Sequence, residues 1–274
     1  MQDIRILFLA PNWRVSLLRL FKKSISGNFF LVGADSDPYS AGLNVVDQKY
    51  VIPKFTEQGC FERIRVICDK ENIDTILPMT NKAIIFMDKN REWFNKKDLA
   101  LYLADHSAIK ICNDKRILAG FFTENNIASP DLINVKEPYP GFPLIAKEPC
   151  GEGSKNCFKI ESQADLDFYS KKLPNHIFQK FIKGREFSID WFSDKQGVPI
   201  VIVPRERLAT RGGEVMTSRI EMVSDIIESA ENLGTLLKLR GPANLQGILD
   251  ESGSFFFTDV NLRFGSGALH TIHA

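Results

Sequence analysis

NLQGILDESGSFFFTDVNLRFGSG, residues 244–267, is the stretch on which the fold turns. Gly247 to Asp250 and Phe255 to Val260 read as two strands joined by a turn at Glu251-Ser252-Gly253-Ser254. Gln246 precedes the first strand, and Asp259 and Asn261 close the second. Asp259 and Asn261 are two apart, so both side chains leave the strand on one face. Pairing of the strands can bring Gln246 across from them. One carboxylate and two amide oxygens form a weak hard-oxygen site, fit for magnesium only if phosphates complete the shell. A solvated strand end is the plain alternative. Arg263, two residues further, projects near the same place if the strand persists.

Upstream, Leu144 to Lys147 is a strand that runs into Glu148-Pro149-Cys150-Gly151-Glu152-Gly153-Ser154-Lys155-Asn156. Glycines let backbone N–H groups turn toward an anion, and a lysine at the strand end can reach the same anion. The pattern GxxxxGK[ST] is absent, so this is no P-loop. A hairpin tip with solvated charges is the other reading. Gln179-Lys180-Phe181-Ile182 followed by Gly184-Arg185-Glu186 is a strand, a bend and a new strand. Backbone groups exposed at such a bend can pair with a purine edge, and the next carboxylate can accept from ribose hydroxyls. A surface corner would look the same. Arg205, Arg207 and Arg211 follow a strand at Ile200 to Val203, with Gly212-Gly213 as a turn or mobile loop. They suit an anionic substrate or a transferred phosphoryl group, or simply form a charged rim. Helical patterns cover Asp114 to Phe122, a segment N-capped by Ser162, and Asp225 to Leu239.

The N-terminal part alternates differently. Ile4 to Ala10, Phe29 to Ala34, Lys49 to Ile52 and Ile73 to Pro78 read as strands, with helical patterns at Val15 to Lys23 and Phe61 to Asp69 between them. Strand and helix in series predict an open parallel sheet, an α/β fold. The first strand is followed by Ala10-Pro11-Asn12-Trp13 and not by GxGxxG, which argues against a nicotinamide or flavin enzyme. The acidic end of the second strand, Asp35-Ser36-Asp37, is either a turn or a ribose contact.

The chain has 274 residues, with 35 Lys+Arg against 34 Asp+Glu, so no nucleic-acid partner is expected. Five cysteines, none in a CxxC pair, argue against a disulfide framework and a zinc cluster. MQDIRILFLA is not a leader, and no apolar run is long enough to cross a membrane. A cytoplasmic protein is expected.

The order of these pieces resembles the ATP-grasp superfamily. The matching stretches are NDKRILAGFFTENNIASP (113–130), FPLIAKEPCGEGSKNCF (142–158), IFQKFIKGREFSIDWF (177–192) and the segment 244–267. The branch it resembles is that of the carbamoyl phosphate synthase large subunit and biotin carboxylase. ILFLA, VGADSDP and IDTILP resemble the α/β domain that precedes the grasp. The resemblance implies a pre-ATP-grasp domain over 1–105 and an ATP-grasp domain over 106–274, with a lid at about 120–180. It implies that Lys115 and Lys147 contact nucleotide phosphates beneath a flexible loop of Gly151, Gly153 and Ser154. It places Gln179, Lys180 and Ile182 at adenine and Glu186 at ribose. Gln246, Asp259 and Asn261 would hold magnesium, or manganese in its place. Arg263 would steady the phosphoryl group, with Arg205 a looser match over the same site. The implied function is an ADP-forming carboxylate–amine ligase acting through an acyl phosphate. Alternatives are a bicarbonate-dependent carboxylase or carbamoyl-phosphate-type enzyme, and a non-catalytic ATP-binding or assembly protein. A small carboxylate and an amine are the implied partners, with a homodimer as the family habit. Two departures stand out. Asp259 occupies a position where Glu is commonest, and the chain stops at Ala274, earlier than relatives usually do, as either a C-terminally truncated fragment or a minimal version would.

Overall fold

A computed structural model describes residues 4–24, 29–97, 99–137, 139, 141–151 and 156–272. The first hundred residues form β1 (Ile4–Leu9), α1 (Val15–Ser24), β2 (Phe29–Asp35), β3 (Gln48–Val51), α2 (Cys60–Lys70), β4 (Thr75–Pro78), α3 (Asn81–Lys89), α4 (Arg91–Lys96) and β5 (Ala100–Leu101). The strands pair in the order β3-β2-β1-β4-β5, all parallel. Their apolar runs are continuous because both faces are covered. Leu7, Leu9, Val32 and Ile76 pack on one side with Ile64 and Met87, while Ile6, Phe8 and Leu31 face Leu17 and Leu18 on the other. Strand order reverses between β1 and β4, which opens a crevice at their carboxyl ends. Asp35 is buried there, and its carboxylate accepts from the N–H groups of Asn12 (3.1 Å) and Asp37 (3.1 Å). The acidic end of β2 therefore holds the turn after β1 in place.

The remainder runs α5 (His106–Asn113), α6 (Lys115–Glu124), β6 (Leu144–Lys147), β7 (Phe158–Ile160), α7 (Gln163–Lys172), β8 (Ile177–Lys180), β9 (Gly184–Ser193), β10 (Pro199–Arg211), β11 (Glu214–Ile220), α8 (Ser224–Leu236), β12 (Gly241–Asp250), β13 (Phe255–Asn261) and α9 (Ala268–Ile272). Cap chemistry sets two helix starts: Asp114 accepts from the Arg116 N–H, and Ser162 from the Asp165 N–H. A small antiparallel sheet, β7-β6-β8, packs Leu144, Ala146 and Phe178 on Leu166 of α7. A larger one has the order β11-β10-β9-β12-β13. Its back face carries Phe187, Ile189 and Trp191 against Ile226, Ala230 and Leu233 of α8. Gly234 lies over the Trp191 indole so closely that a Cβ there would stand 2.2 Å from the ring. Among the described residues no helix is long and apolar enough to cross a membrane.

The β10 strand is longer than the sequence predicts. The sequence reads as a strand from Ile200 to Val203 with the arginines after its end, whereas β10 continues to Arg211. Pro204 sits just outside the β10–β11 pairing, which begins at Arg205, where its missing N–H costs no bond to β11. Gly212 and Gly213 form the hairpin turn with φ of 58° and 78°, backbone that favours glycine. The hairpin carries register shifts between Arg207, Ala209 and Thr210. Along its outer side, Glu206 bonds Arg185 at 3.0 Å and Arg219 at 2.5 Å, and Glu221 bonds Arg185 as well.

This strand also corrects the expectation for Arg205, which does not stand over the cleft. Its side chain is fully buried. Nε donates to Asp190 Oδ2 at 2.7 Å, Nη2 to Asp190 Oδ1 at 3.1 Å and Nη1 to Ser218 Oγ at 3.2 Å. Asp190 also accepts from Asn244 Nδ2 at 3.1 Å and from the Thr271 hydroxyl of α9. Gly267 lies on the guanidinium, where a Cβ would meet Nη1 at 2.7 Å. The cause is register. Arg205 pairs with Ser188, two residues from Asp190 on the same face, and a buried guanidinium takes the nearest carboxylate.

Arg205→Ala leaves the Asp190 carboxylate buried without its counterion. It is expected to lower unfolding free energy in urea by about 3–5 kcal/mol. Gly234→Ala gains about 1 kcal/mol of helix propensity but forces a methyl into the indole. A net loss of about 1–3 kcal/mol, read as a lower denaturation midpoint, is expected.

Candidate active site

The two antiparallel sheets and the carboxyl ends of β1 and β4 enclose a cleft of about 670 Å³. The β12–β13 hairpin forms its floor. Register sets Gln246 directly opposite Asp259 and Asn244 opposite Asn261. The Asp259 carboxylate accepts from Asn261 Nδ2 at 3.2 Å and lies 3.5 Å from the Lys115 ammonium. Gln246 Nε2 donates to Asn244 Oδ1 at 3.2 Å, and its Oε1 faces Arg207 Nη1 at 3.5 Å. Asn261 Oδ1 faces Asn81 Nδ2 and Arg263 Nη2, each at 3.5 Å. Arg263 lies beyond the end of β13 and stays on this side because Asn81 Oδ1 holds its Nε at 3.1 Å and the Phe264 carbonyl its Nη1 at 3.1 Å.

Lys115 opens α6, and its ammonium donates to the Gly151 carbonyl at 3.1 Å. Lys147 ends β6 and reaches the Thr258 carbonyl of β13 at 3.4 Å, so it bridges the small sheet to the large one. Burial pushes the Lys147 ammonium down to about 8; Asp259 opposes this and Lys115 adds to it. Cys157 also lines the cleft, with its thiol pushed up by burial while the Lys147 charge acts the other way. Gly151 is on the cleft wall, whereas Gly153 and Ser154 lie outside the described residues.

Gln179, Lys180, Ile182 and Glu186 share one end of the cleft. Gln179 is buried and its Nε2 donates to the Pro130 carbonyl at 3.0 Å. Its Oε1 has no partner among the described residues. A buried acceptor beside a cavity is a place for a ligand donor. The Lys180 N–H is taken by the Asp131 carbonyl at 3.1 Å. Glu186 is exposed on the cleft rim, 3.5 Å from Arg207. Arg207, and not Arg205, lines the cleft; its Nη2 donates to the Gly213 carbonyl at 2.9 Å, and its buried Nε has no partner among the described residues.

The sequence reading missed the contribution of the N-terminal sheet. Asn12, Trp13 and Arg14 after β1, and Met79 and Thr80 after β4, line the same cleft. The signal was available, since ligands of open parallel sheets bind where strand order reverses. Arg14 Nη1 donates to the Gly265 carbonyl at 3.2 Å, and Trp13 Nε1 to Glu214 Oε2 at 3.1 Å.

No group of three or more His, Cys, Asp or Glu among the described residues could hold a metal ion. The available oxygens are those of Asp259, Gln246 and Asn261. That set fits magnesium only in company with phosphate oxygens, and two lysine ammoniums stand beside it to attract them.

Known proteins share the family and the fold. A family model described as ATP-grasp domain matches residues 112–267, and one described as PylC-like, N-terminal domain matches residues 6–102. The carbamoyl-phosphate synthase of Methanobrevibacter smithii is 24% identical over 165 residues, which cover 57% of this chain and 44% of that protein. The matched stretch thus spans less than half the length of that relative. Among solved structures, the L-amino acid ligase from Bacillus licheniformis superposes with a TM-score of 0.78 at 17% identity, covering 99% of this chain and 70% of that one. The N5-carboxyaminoimidazole synthetase from Staphylococcus aureus, complexed with ADP, gives 0.79 at 13% identity, covering 100% and 74%. A parallel sheet followed by a small and a large sheet around one cleft is the pre-ATP-grasp and ATP-grasp architecture. The ATP-grasp model alone accounts for more than half of the residues, and the chain belongs to the ATP-grasp family.

Proposed function

We propose that the protein is an ATP-dependent, ADP-forming ligase that activates a carboxylate as an acyl phosphate for attack by an amine. The convergence of Lys115 and Lys147 on Asp259, at the floor of one cleft, carries this reading. ATP is a substrate in it. The acid's oxygen bonds to the terminal phosphorus and ADP leaves; the amine then bonds to the acyl carbon, and phosphate and a proton leave. No covalent bond to the chain is required.

Each residue has a job in that scheme. Lys115, Lys147 and the loop of Gly151, Gly153 and Ser154 hold the phosphates. Gln179, Lys180 and Ile182 face adenine, and Glu186 the ribose. Gln246, Asp259 and Asn261 would hold magnesium or manganese, which when bound offsets charge on the phosphates. Arg263 orients the acid and steadies the transferred phosphoryl group. Arg207 takes the place first given to Arg205. The amine-attack form draws support from the likeness to a structure named as an L-amino acid ligase. The likeness to carbamoyl-phosphate synthase supports a second reading, within that branch, in which bicarbonate is the acid.

ADP release with Mg²⁺, ATP and a panel of amino acids, other small acids and bicarbonate, with and without amines, tests the proposal. Lys147→Ala and Asp259→Ala are each expected to cut turnover by about 100-fold or more. Turnover unchanged in both variants would refute the assignment. The Lys147 ammonium adds a pH signature. Its proton is lost near pH 8 in the free protein and is retained when phosphate binds, so nucleotide affinity falls as pH rises through 8 and binding there takes up a proton. Calorimetry of a non-hydrolysable ATP analogue in two buffers of different ionisation enthalpy should show that uptake in the wild type and none in Lys147→Ala.

A further inference from the structure

Around the turn after β1 and the turn of the β10–β11 hairpin, the cleft has a mixed charge that ATP and magnesium do not explain. Arg14 and Arg263 stand there, anchored by the Gly265 carbonyl and the Asn81 amide oxygen. The turn of the β10–β11 hairpin brings in a carboxylate, Glu214. Other carboxylates that line the cleft are engaged: Asp259 faces Lys115, Glu186 faces Arg207, and Glu148 accepts from Asn156 Nδ2 at 2.7 Å. Glu214 has a neutral partner, the indole N–H of Trp13 at 3.1 Å. Trp13 itself is 62% exposed although it forms part of the cleft wall.

An exposed indole with a carboxylate at its edge is suited to an ammonium group. The ring face attracts a cation, and the carboxylate accepts a charge-assisted hydrogen bond. A site for bicarbonate or a simple acid gains nothing from Glu214, whose charge repels such a ligand. We propose that Trp13 and Glu214 are the specificity-determining pair there, and that the substrate they select is an amino acid. Its carboxylate faces Arg263, and its ammonium group lies over the face of the Trp13 ring within reach of the Glu214 carboxylate at the ring's edge. The fate of that carboxylate rests on the ligase reading above; its binding rests on the pocket alone.

Calorimetric titration of the full chain, with Mg²⁺ and a non-hydrolysable ATP analogue, separates the two. The ligands are the standard L-amino acids and matched acids that lack the amine, such as propionate for L-alanine. One or more amino acids should bind at least about tenfold tighter than the matched acid. Glu214→Gln should erase that preference and leave affinity for the ATP analogue within about twofold, since a neutral isostere keeps the shape but not the charge. Trp13→Ala should weaken amino-acid binding as well. A general loss of structure would lower affinity for both ligand sets, whereas loss of the preference alone reports on the ammonium site. Amino-acid binding without ADP release supports the proposal and counts against the ligase reading. ADP release driven equally by the matched acids or by bicarbonate overturns the proposal and leaves the ligase reading standing. Failure of every amino acid to bind, or an unchanged preference in Glu214→Gln, overturns it too.

Discussion

Two ammonium groups and one carboxylate share the floor of the cleft, and the rest of the structure is arranged around that imbalance. Lys115 comes from the start of a helix, Lys147 from the end of a small sheet and Asp259 from the large sheet. Like charges held together away from water repel strongly, and a single carboxylate offsets only one of them. Burial pushes the Lys147 ammonium down to about 8, with Asp259 opposing that shift and Lys115 adding to it. A polyanion removes the imbalance, because it supplies the missing negative charge to both lysines at once. In the proposed function a ligand with several phosphate oxygens supplies that charge, and the hard-oxygen set of Gln246, Asp259 and Asn261 would be adequate for a metal only in that company.

Much of this was legible in the sequence because it depends on period and spacing. The two-residue step from Asp259 to Asn261 fixes a shared face, and hairpin pairing then brings Gln246 opposite. The Ser162 cap marked the start of α7, and the helical pattern from Asp114 marked that of α6. What stayed hidden depends on residues far apart in the chain. Nothing near Arg205 announces Asp190, because they meet through strand register across a hairpin. The continuation of β10 beyond Val203 carries no strand signal, and with it Arg207, not Arg205, comes to line the cleft. The turns after β1 and β4 carry no motif, and only the strand order shows that they face the cleft.

One face of the large sheet is thereby divided in two. Arg205, Asp190 and Asn244 lie under the Gly265–Gly267 turn and α9, where their polar groups satisfy one another. Arg207 and Gln246, two residues along their strands, and Asp259 opposite Gln246 remain open to the cleft. The buried half anchors the chain's last helix and holds the strands in register beneath the open half. A ligand thus meets groups whose backbone is fixed by a network it never touches, which lowers the cost of ordering the site when it binds.

The ion cluster and register shifts on the β10–β11 hairpin have a consequence outside the cleft. Strands at the border of a sheet offer unpaired backbone groups to any other chain. At one border, β13 gives its Phe257 N–H to the Ala128 carbonyl at 2.9 Å, so another segment of the same chain covers it. Among the described residues the β11 border has no such cover, and Arg219 and Glu221 lie along it, while bulges distort the hairpin behind it. Charge and irregular twist make it a poor template for an incoming strand, which guards the protein against edge-to-edge aggregation while the hairpin turn stays free to present Glu214.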